Sequence, residues 1–376
     1  MVVGVPREHV PGERRVALVP GHVASLVKAG LDVVVEPGAG EASGYPDSLY
    51  EEKGATLSSS VRSDADILLT VRAAAAAGDN APAPGRERQT VIGYLEPYAP
   101  HASFKSFLDK KTTSFSMELI PRITRAQSMD ALSSMANLAG YRAAILGAEA
   151  LPKMFPMMMT AAGTIVPAKA FVIGVGVAGL QAIATTRRLG AVVSAYDVRP
   201  AVKEQVESLG AKFVEMELES AEGSGGYAKE MGEEFYRKQR ELMGDVIAEM
   251  DLVITTAAIP GKKSPVLVTE EMVKRMQPGS VIVDLATERG GNCELSENGK
   301  TVVKHGVTIL GPLNIPSALA FNASQLYSKN ITTFLLSMLK DGELLIDTED
   351  EIIAATLVTR DGSFGNEELA QRLGGA

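Results

Sequence analysis

Short β-branched runs alternate with helix-spaced apolar positions through the first third of the chain. Residues 2–5, 32–36, 66–71, 90–95 and 113–117 each read as a strand, and between the first two Val23, Leu26 and Val27 recur at helical spacing within 21–29. Strand and helix in this order build βαβ units around a mostly parallel sheet. The Ala-, Pro- and Gly-rich run 73–85 reads as a surface loop. A second alternation begins at Ala170, with strands expected at 170–173, 192–196, 252–255, 281–284 and 308–310.

Between the two patterns, the polar stretch 121–134 precedes a long amphipathic helix carrying Leu132, Met135, Ala139, Ala143 and Leu146 along one face. After Pro316 helical spacing returns through Leu319, Asn322 and Leu326, then Phe334, and leads into the C-terminal tail. The expected fold is α/β, with two Rossmann-like domains of mostly parallel sheet joined by long helices. Because the chain leaves the first domain and comes back, that domain is discontinuous, 1–126 plus 317–376, and 127–316 forms the second. The acidic stretch 215–243, with Gly223-Ser-Gly-Gly inside it, reads as a mobile insertion or lid.

Composition narrows the chemistry. An apolar share of 45% with 22% charged residues is ordinary for a globular chain of 376 residues, long enough for two domains. The net charge of −9 argues against nucleic acid and against a basic membrane-surface patch. Cys293 is the single cysteine, so no intrachain disulfide and no cysteine-rich zinc site can form, and His9, His22, His101 and His305 are scattered. No metal site is expected. The N-terminus runs into a strand without a signal-peptide pattern, which fits the cytosol. The most apolar stretch, 154–180, is interrupted by Pro156, Pro167 and Lys169 and is not read as a membrane span.

The strongest chemical signal is Gly174-Val-Gly176-Val-Ala-Gly179, which follows the strand Phe171-Val-Ile and opens a helix from Leu180 to Leu189. Gly174 permits a tight turn, Gly176 lets a pyrophosphate approach the backbone at the helix N-terminus, and Gly179 allows close helix–strand contact. Asp197 closes the next strand, where it can accept from the ribose hydroxyls and repel a 2′-phosphate, favouring NAD over NADP. Arg199 reads either as a partner for a 2′-phosphate or as a solvated loop residue. Asp284, at another strand end, reads equally as a cleft residue and as a loop cap.

Several further segments carry a family resemblance: Gly4-Val-Pro-Arg-Glu, Glu13-Arg-Arg-Val-Ala-Leu-Val-Pro, Arg122-Ile-Thr-Arg-Ala-Gln-Ser-Met-Asp-Ala-Leu-Ser-Ser, Ala195-Tyr-Asp-Val-Arg-Pro and Val283-Asp-Leu-Ala-Thr-Glu-Arg-Gly-Gly-Asn-Cys. Together they resemble the NAD(H)-binding component of proton-translocating transhydrogenase, over nearly the whole chain. That family is related to alanine dehydrogenase. The resemblance implies that Arg122, Asp130 and Ser133 orient the nicotinamide carboxamide and its ribose, and that Gln127 reaches towards NADP(H) carried by another subunit. It extends the NAD(H)-binding set to Val177, Ala178, Val198 and Ala257, and makes Tyr227 the tip of a loop that closes over nucleotide. It also implies a homodimer, working with a membrane-spanning subunit and an NADP(H)-binding subunit at the cytoplasmic face of the inner membrane.

Other readings stand beside these. Thr124-x-x-Gln127 fits a helix capping box, with Asp130 and Ser133 as polar residues of the first helical turns. Tyr227 also reads as an exposed tyrosine on an acidic loop. Alanine dehydrogenase, by resemblance, carries a substrate lysine and histidine where this chain has Arg72 and Glu96, and an aspartate where it has Glu288, while its substrate arginine is matched by Arg15. Arginine cannot shuttle protons and glutamate lacks histidine's neutral-pH chemistry. A self-sufficient alanine dehydrogenase-like enzyme and a non-catalytic nucleotide sensor are the alternatives.

Overall fold

Alternating runs of valine, isoleucine and leucine build two sheets, each in its own unit: Met1–Met135 with Pro316–Ala376, and Ala136–Ile315. The computed structural model describes residues 1–73, 85–98, 100–215, 233–258 and 261–373.

In the first unit, β1 (Val2–Val5), β2 (Asp32–Val35), β3 (Thr56–Leu57), β4 (Ile67–Arg72), β5 (Thr90–Tyr94) and β6 (Thr113–Ser116) run parallel, in the order β6-β5-β4-β1-β2-β3. Ile67, Leu68, Leu69 and Val71 are all buried, as a strand covered on both faces requires. Two antiparallel strands, Leu357–Arg360 and Ser363–Phe364, extend the β6 edge to complete an eight-stranded sheet. The helical reading of the tail is corrected here. Asp350 accepts from the Ile352 N–H to cap a helix of only six residues, Glu351–Thr356. The short run after it then pairs with β6, where the Thr359 and Ser114 hydroxyls meet at 2.7 Å.

The C-terminal return also supports the opening segment. Val16, Ala17, Leu18 and Val19 are buried without being in a strand or helix. Ser317, Ser324 and Ser328 accept from the backbone N–H groups of Arg14, Val16 and Val19 at 2.6, 2.9 and 3.0 Å. Tyr327 donates to the Thr70 carbonyl. Serines along the helix Ala320–Ser337 thus supply what a neighbouring strand would otherwise supply.

In the second unit, an antiparallel pair, β7 (Met158–Thr160) and β8 (Gly163–Ile165), precedes a seven-stranded sheet. Its strands are β9 (Lys169–Ile173), β10 (Val192–Tyr196), β11 (Lys212–Phe213), β12 (Leu252–Thr255), β13 (Val281–Asp284), β14 (Thr301–Lys304) and β15 (Val307–Leu310). The order is β11-β10-β9-β12-β13-β15-β14, with only β14 antiparallel. The strand order reverses between β9 and β12, and the crevice beyond their C-terminal ends is where such sheets hold ligands.

The long helix spans Ala131–Ala150, but its most buried positions are Ala131, Met135, Gly140, Ala143, Ala144 and Gly147, while Leu132, Ala139 and Leu146 keep part of their surface. Small residues occupy the stripe because the helix lies against backbone: a methyl on Gly140 would run into the Ala178 carbonyl, and one on Gly147 would come within 2.7 Å of Leu252. Of the stretch 215–243 read as an insertion, 233–243 belongs to the helix Glu233–Ala248, which buries Met243 and Ile247. Tyr227 and the Ser-Gly-Gly segment lie outside the described residues, as does most of the loop expected at 73–85. Among the described residues no helix is long and apolar enough to cross a membrane. The apolar stretch near 154–180 instead divides between the exposed β7–β8 pair and buried β9.

Candidate functional site: a dinucleotide crevice

The three motif glycines in the second unit do different work. Gly174 has φ +92°, a region that favours glycine, and a methyl there would stand 2.8 Å from the Thr256 hydroxyl. A methyl on Gly179 would run into the Gly174 carbonyl oxygen. Gly176 is unlike both. Its φ of −81° and ψ of −166° suit any residue, and nothing stands within 4 Å of where a methyl would lie. Protein packing does not require glycine at 176, so the open space beside it suits close approach by a ligand.

Gly176 is the N-cap of the helix Val177–Arg188, and no side chain caps that end. The first-turn N–H groups of a helix have no intrahelical acceptor and carry the positive end of its dipole. Val177 and Ala178 therefore open the helix as a pyrophosphate cradle would. The residues fit a dinucleotide.

Asp197, at the end of β10, is nearly buried. One carboxylate oxygen accepts from the Val175 N–H at 2.7 Å and from Arg199 Nη2 at 2.8 Å, and the other from the Arg199 N–H and Nε at 2.9 and 2.8 Å. Arg199 is therefore an ion-pair partner rather than a solvated loop residue. Val198, between the two, is partly buried.

On the other side of the crevice the loop after β12 is tied down by side chains. The Thr256 hydroxyl donates to the Gly174 carbonyl at 2.9 Å. Ala257 is held at both backbone groups by buried Asn292, whose Oδ1 accepts from the Ala257 N–H at 3.0 Å and whose Nδ2 donates to the Ala257 and Pro265 carbonyls at 2.8 Å. Asp284, fully buried, accepts from the N–H groups of Ala286, Asn292 and Cys293 and from the hydroxyls of Thr255 and Ser296. It is a loop cap. Asn292 carries no local signal beyond its place in the Gly-Gly-Asn-Cys run.

In the first unit the segment Thr124–Met129 is a 3₁₀ helix whose N-cap is Ile123, without a side-chain cap. The capping-box reading of Thr124 and Gln127 is not realised; Gln127 is exposed, as is Arg122. Asp130 and Ser133 do come together: Asp130 accepts from the Ser133 N–H at 2.8 Å and from its hydroxyl at 2.6 Å, ahead of the long helix. The segment is anchored by Asn330, which donates to the Ser128 carbonyl at 2.9 Å, and by the paired contacts of Arg125 with Asp350. Neither anchor is visible in sequence, because each is some 200 residues away.

The same unit holds an ionic cluster at the positions compared with alanine dehydrogenase. Arg15 is 4% exposed, and Glu13 meets it with both oxygens, at 2.7 Å to Nε and 2.6 Å to Nη2. Burial opposes the Arg15 cation, and the bonds and charge of Glu13 outweigh it. Arg72 contacts Glu13 at 3.3 Å and Glu96 at 3.6 Å. Glu288 in the second unit is exposed and accepts from the Asn314 N–H. Arginine and carboxylate thus satisfy each other, and the substrate-arginine position is already occupied by the chain's own glutamate.

Burial pushes the nearby Glu8 carboxyl up to about 7 from 4.5, against the Val71 and Arg72 N–H groups it accepts. A raised folded value means that protonation favours the folded state, and this stability is lost as pH rises from about 4.5 through about 7. Part of the residue remains at the surface. The effect of Glu8→Gln is therefore discounted to on the order of 1–2 kcal/mol, stabilising relative to wild type at pH 8 and not at pH 4.5. Thermal melts of both proteins across that range measure it, and parallel curves would refute it.

With the geometry in place, the fold and crevice define a two-unit dinucleotide-binding α/β protein. Residues 4–139 match the family described as alanine dehydrogenase/PNT, N-terminal domain, and residues 143–367 match its C-terminal domain. The chain belongs to the alanine dehydrogenase/PNT family. It is 51% identical to the first portion of NAD(P) transhydrogenase subunit alpha of Rhodospirillum rubrum, a separate chain there, covering 98% of this chain and 99% of that one. A solved structure of transhydrogenase from Sinorhizobium meliloti superposes with a TM-score of 0.86 at 48% identity, covering 97% of this chain and all of that one. Alanine dehydrogenase of Bacillus subtilis is more distant, 30% identical over all of this chain and 95% of its own length. The resemblance carried by the sequence motifs runs the length of the chain and is greater to transhydrogenase alpha subunits than to alanine dehydrogenase.

Proposed function

We propose that the chain is the NAD(H)-binding subunit of a proton-translocating transhydrogenase. The observation that carries this reading is the open, uncapped helix start at Gly176, set in a chain that matches transhydrogenase alpha components end to end. Bound NADH supplies a hydride that passes to NADP⁺ held on a partner subunit, coupled to proton translocation by a membrane-spanning partner. The residues of this chain bind and orient. Val177 and Ala178 offer backbone N–H groups to the pyrophosphate, and Asp197 and Val198 border the adenosine ribose. Ala257, held by Asn292, forms the opposite wall. Arg122, Asp130 and Ser133 orient the carboxamide and its ribose, Gln127 extends towards the NADP(H) subunit, and Tyr227 closes over the nucleotide. Transfer between nicotinamides needs no protein acid or base at the carbon, so the chain needs none there. It docks at the cytoplasmic face of the inner membrane.

The alanine dehydrogenase alternative is disfavoured by the mutual pairing of Glu13, Arg15, Arg72 and Glu96, which leaves no acid–base pair for an oxo acid. The exposed apolar side chains around β7–β8, with Met159 at 77% and Val166 at 62%, support a homodimer built on that pair. Light scattering of wild type and Met159→Glu tests this: a dimer weakened by the charge is expected, and a wild-type monomer refutes it.

The central experiment measures NADH-to-NADP⁺ transfer by the purified chain, alone and with membranes carrying the partner subunits. Transfer is expected only in the mixture. In Gln127→Ala it should fall about tenfold or more with NADH affinity nearly unchanged, as for a group acting in the transfer step. Alanine-dependent NAD⁺ reduction by the isolated chain would instead establish the dehydrogenase reading.

A further inference from the structure

The acidic residue assigned to the ribose is already saturated. A carboxylate offers about four lone-pair positions, and those of Asp197 meet the Val175 N–H, the Arg199 N–H, Arg199 Nε and Arg199 Nη2. Arg199 Nη2 also reaches the Val175 carbonyl at 3.3 Å, so the guanidinium spans from Asp197 to the glycine turn. An adenosine ribose that donates its hydroxyls to Asp197 must displace something. The two backbone N–H groups are fixed by the turn and by the chain. Only the guanidinium fork can leave.

We infer that Arg199 sets the nucleotide selectivity of this crevice: it caps Asp197 in the free chain and swings aside when the ribose arrives. The inference rests on the NAD(H)-binding reading and deepens it. For NAD(H), the exchange breaks a bidentate ion pair and replaces it with two hydroxyl donors, so Arg199 opposes binding. For NADP(H), the displaced guanidinium remains tethered two residues from Asp197, where a 2′-phosphate offers it a bidentate partner of the same geometry. Both effects narrow the preference that Asp197 alone would impose. The pair therefore acts as an attenuator: Asp197 selects against the 2′-phosphate, and Arg199 returns part of that selectivity.

The test is equilibrium binding of NADH and NADPH to the purified full chain, read from nucleotide fluorescence, for wild type, Arg199→Ala and Arg199→Lys. The ratio of the NADPH to the NADH dissociation constant should rise about tenfold in Arg199→Ala, through tighter NADH and weaker NADPH together. Lysine keeps the charge but loses the fork, so Arg199→Lys should bind NADH more tightly than wild type while retaining NADPH binding. A purely structural arginine would weaken both nucleotides in parallel and leave the ratio within about threefold, and that result would overturn the inference. If the alanine variant does not fold, the lysine variant decides alone: weaker NADH binding overturns the inference, and tighter binding with NADPH retained sustains it. A wild-type chain that binds NADH while the ratio stays fixed removes only the role of Arg199. A wild-type chain that binds neither nucleotide removes the dinucleotide reading, and this inference with it.

Discussion

Gly176→Ala should fold and melt like wild type yet lose at least about tenfold in NADH affinity. The backbone at 176 lies in a region open to alanine, and the added methyl would meet no protein atom within 4 Å. Its only possible collision is with a ligand drawn against the helix N-terminus. Gly179→Ala is the contrasting case. There the methyl strikes the Gly174 carbonyl, so the helix must move away from the turn and stability falls before binding is tested. A thermal melt beside a fluorescence titration separates the two. Gly176→Ala with wild-type affinity would mean that the pyrophosphate does not lie against this turn.

The second large effect is on stability. Asp284→Ala removes the common acceptor of three backbone N–H groups, Ala286, Asn292 and Cys293, and of the Thr255 and Ser296 hydroxyls. Some of the stranded donors can turn or hydrate, and those at the buried loop cannot all do so. The expected loss is about 3–5 kcal/mol, in the range for stranding several buried donors. Urea unfolding measures it, and a change within about 1 kcal/mol would show that the loop finds other acceptors. Because Asn292 hangs from this carboxylate and holds Ala257, NADH affinity should fall in whatever fraction remains folded.

How much of this is legible in the sequence depends on how local each interaction is. The strands β1, β9, β10, β12 and β13 stand out as short β-branched runs, and the glycine fingerprint stands out because its parts are adjacent in sequence. The long helix is legible too, but leucines suggest its buried stripe, whereas Gly140 and Gly147 mark where backbone comes close. Hydrophobicity does not register a residue selected for having no side chain. The strands at the C-terminal edge hide behind a six-residue helix and are only four and two residues long. Asp197 is legible as a carboxylate at a strand end, yet its partner Arg199 admits two readings, because a bidentate pair two residues apart has no distinguishing pattern. Asn292, Asn330 and Asp350 act across tens to hundreds of residues, and nothing near them in sequence reports it.

The C-terminal return of the first unit bears on the order in which the protein assembles during synthesis. The second unit is one continuous segment, Ala136–Ile315, and every strand of its sheet has left the ribosome soon after that segment ends. The first unit has to wait. Its opening segment keeps the N–H groups of Arg14, Val16 and Val19 without their serine acceptors until Ser317, Ser324 and Ser328 arrive about 300 residues later. The dinucleotide crevice can thus mature while the flanking unit is still open, with β6 awaiting Leu357–Arg360 as its neighbour. Nascent chains halted before Pro316 would carry a finished nucleotide fold beside an unfinished sheet, which makes the first unit the one that needs protection from aggregation.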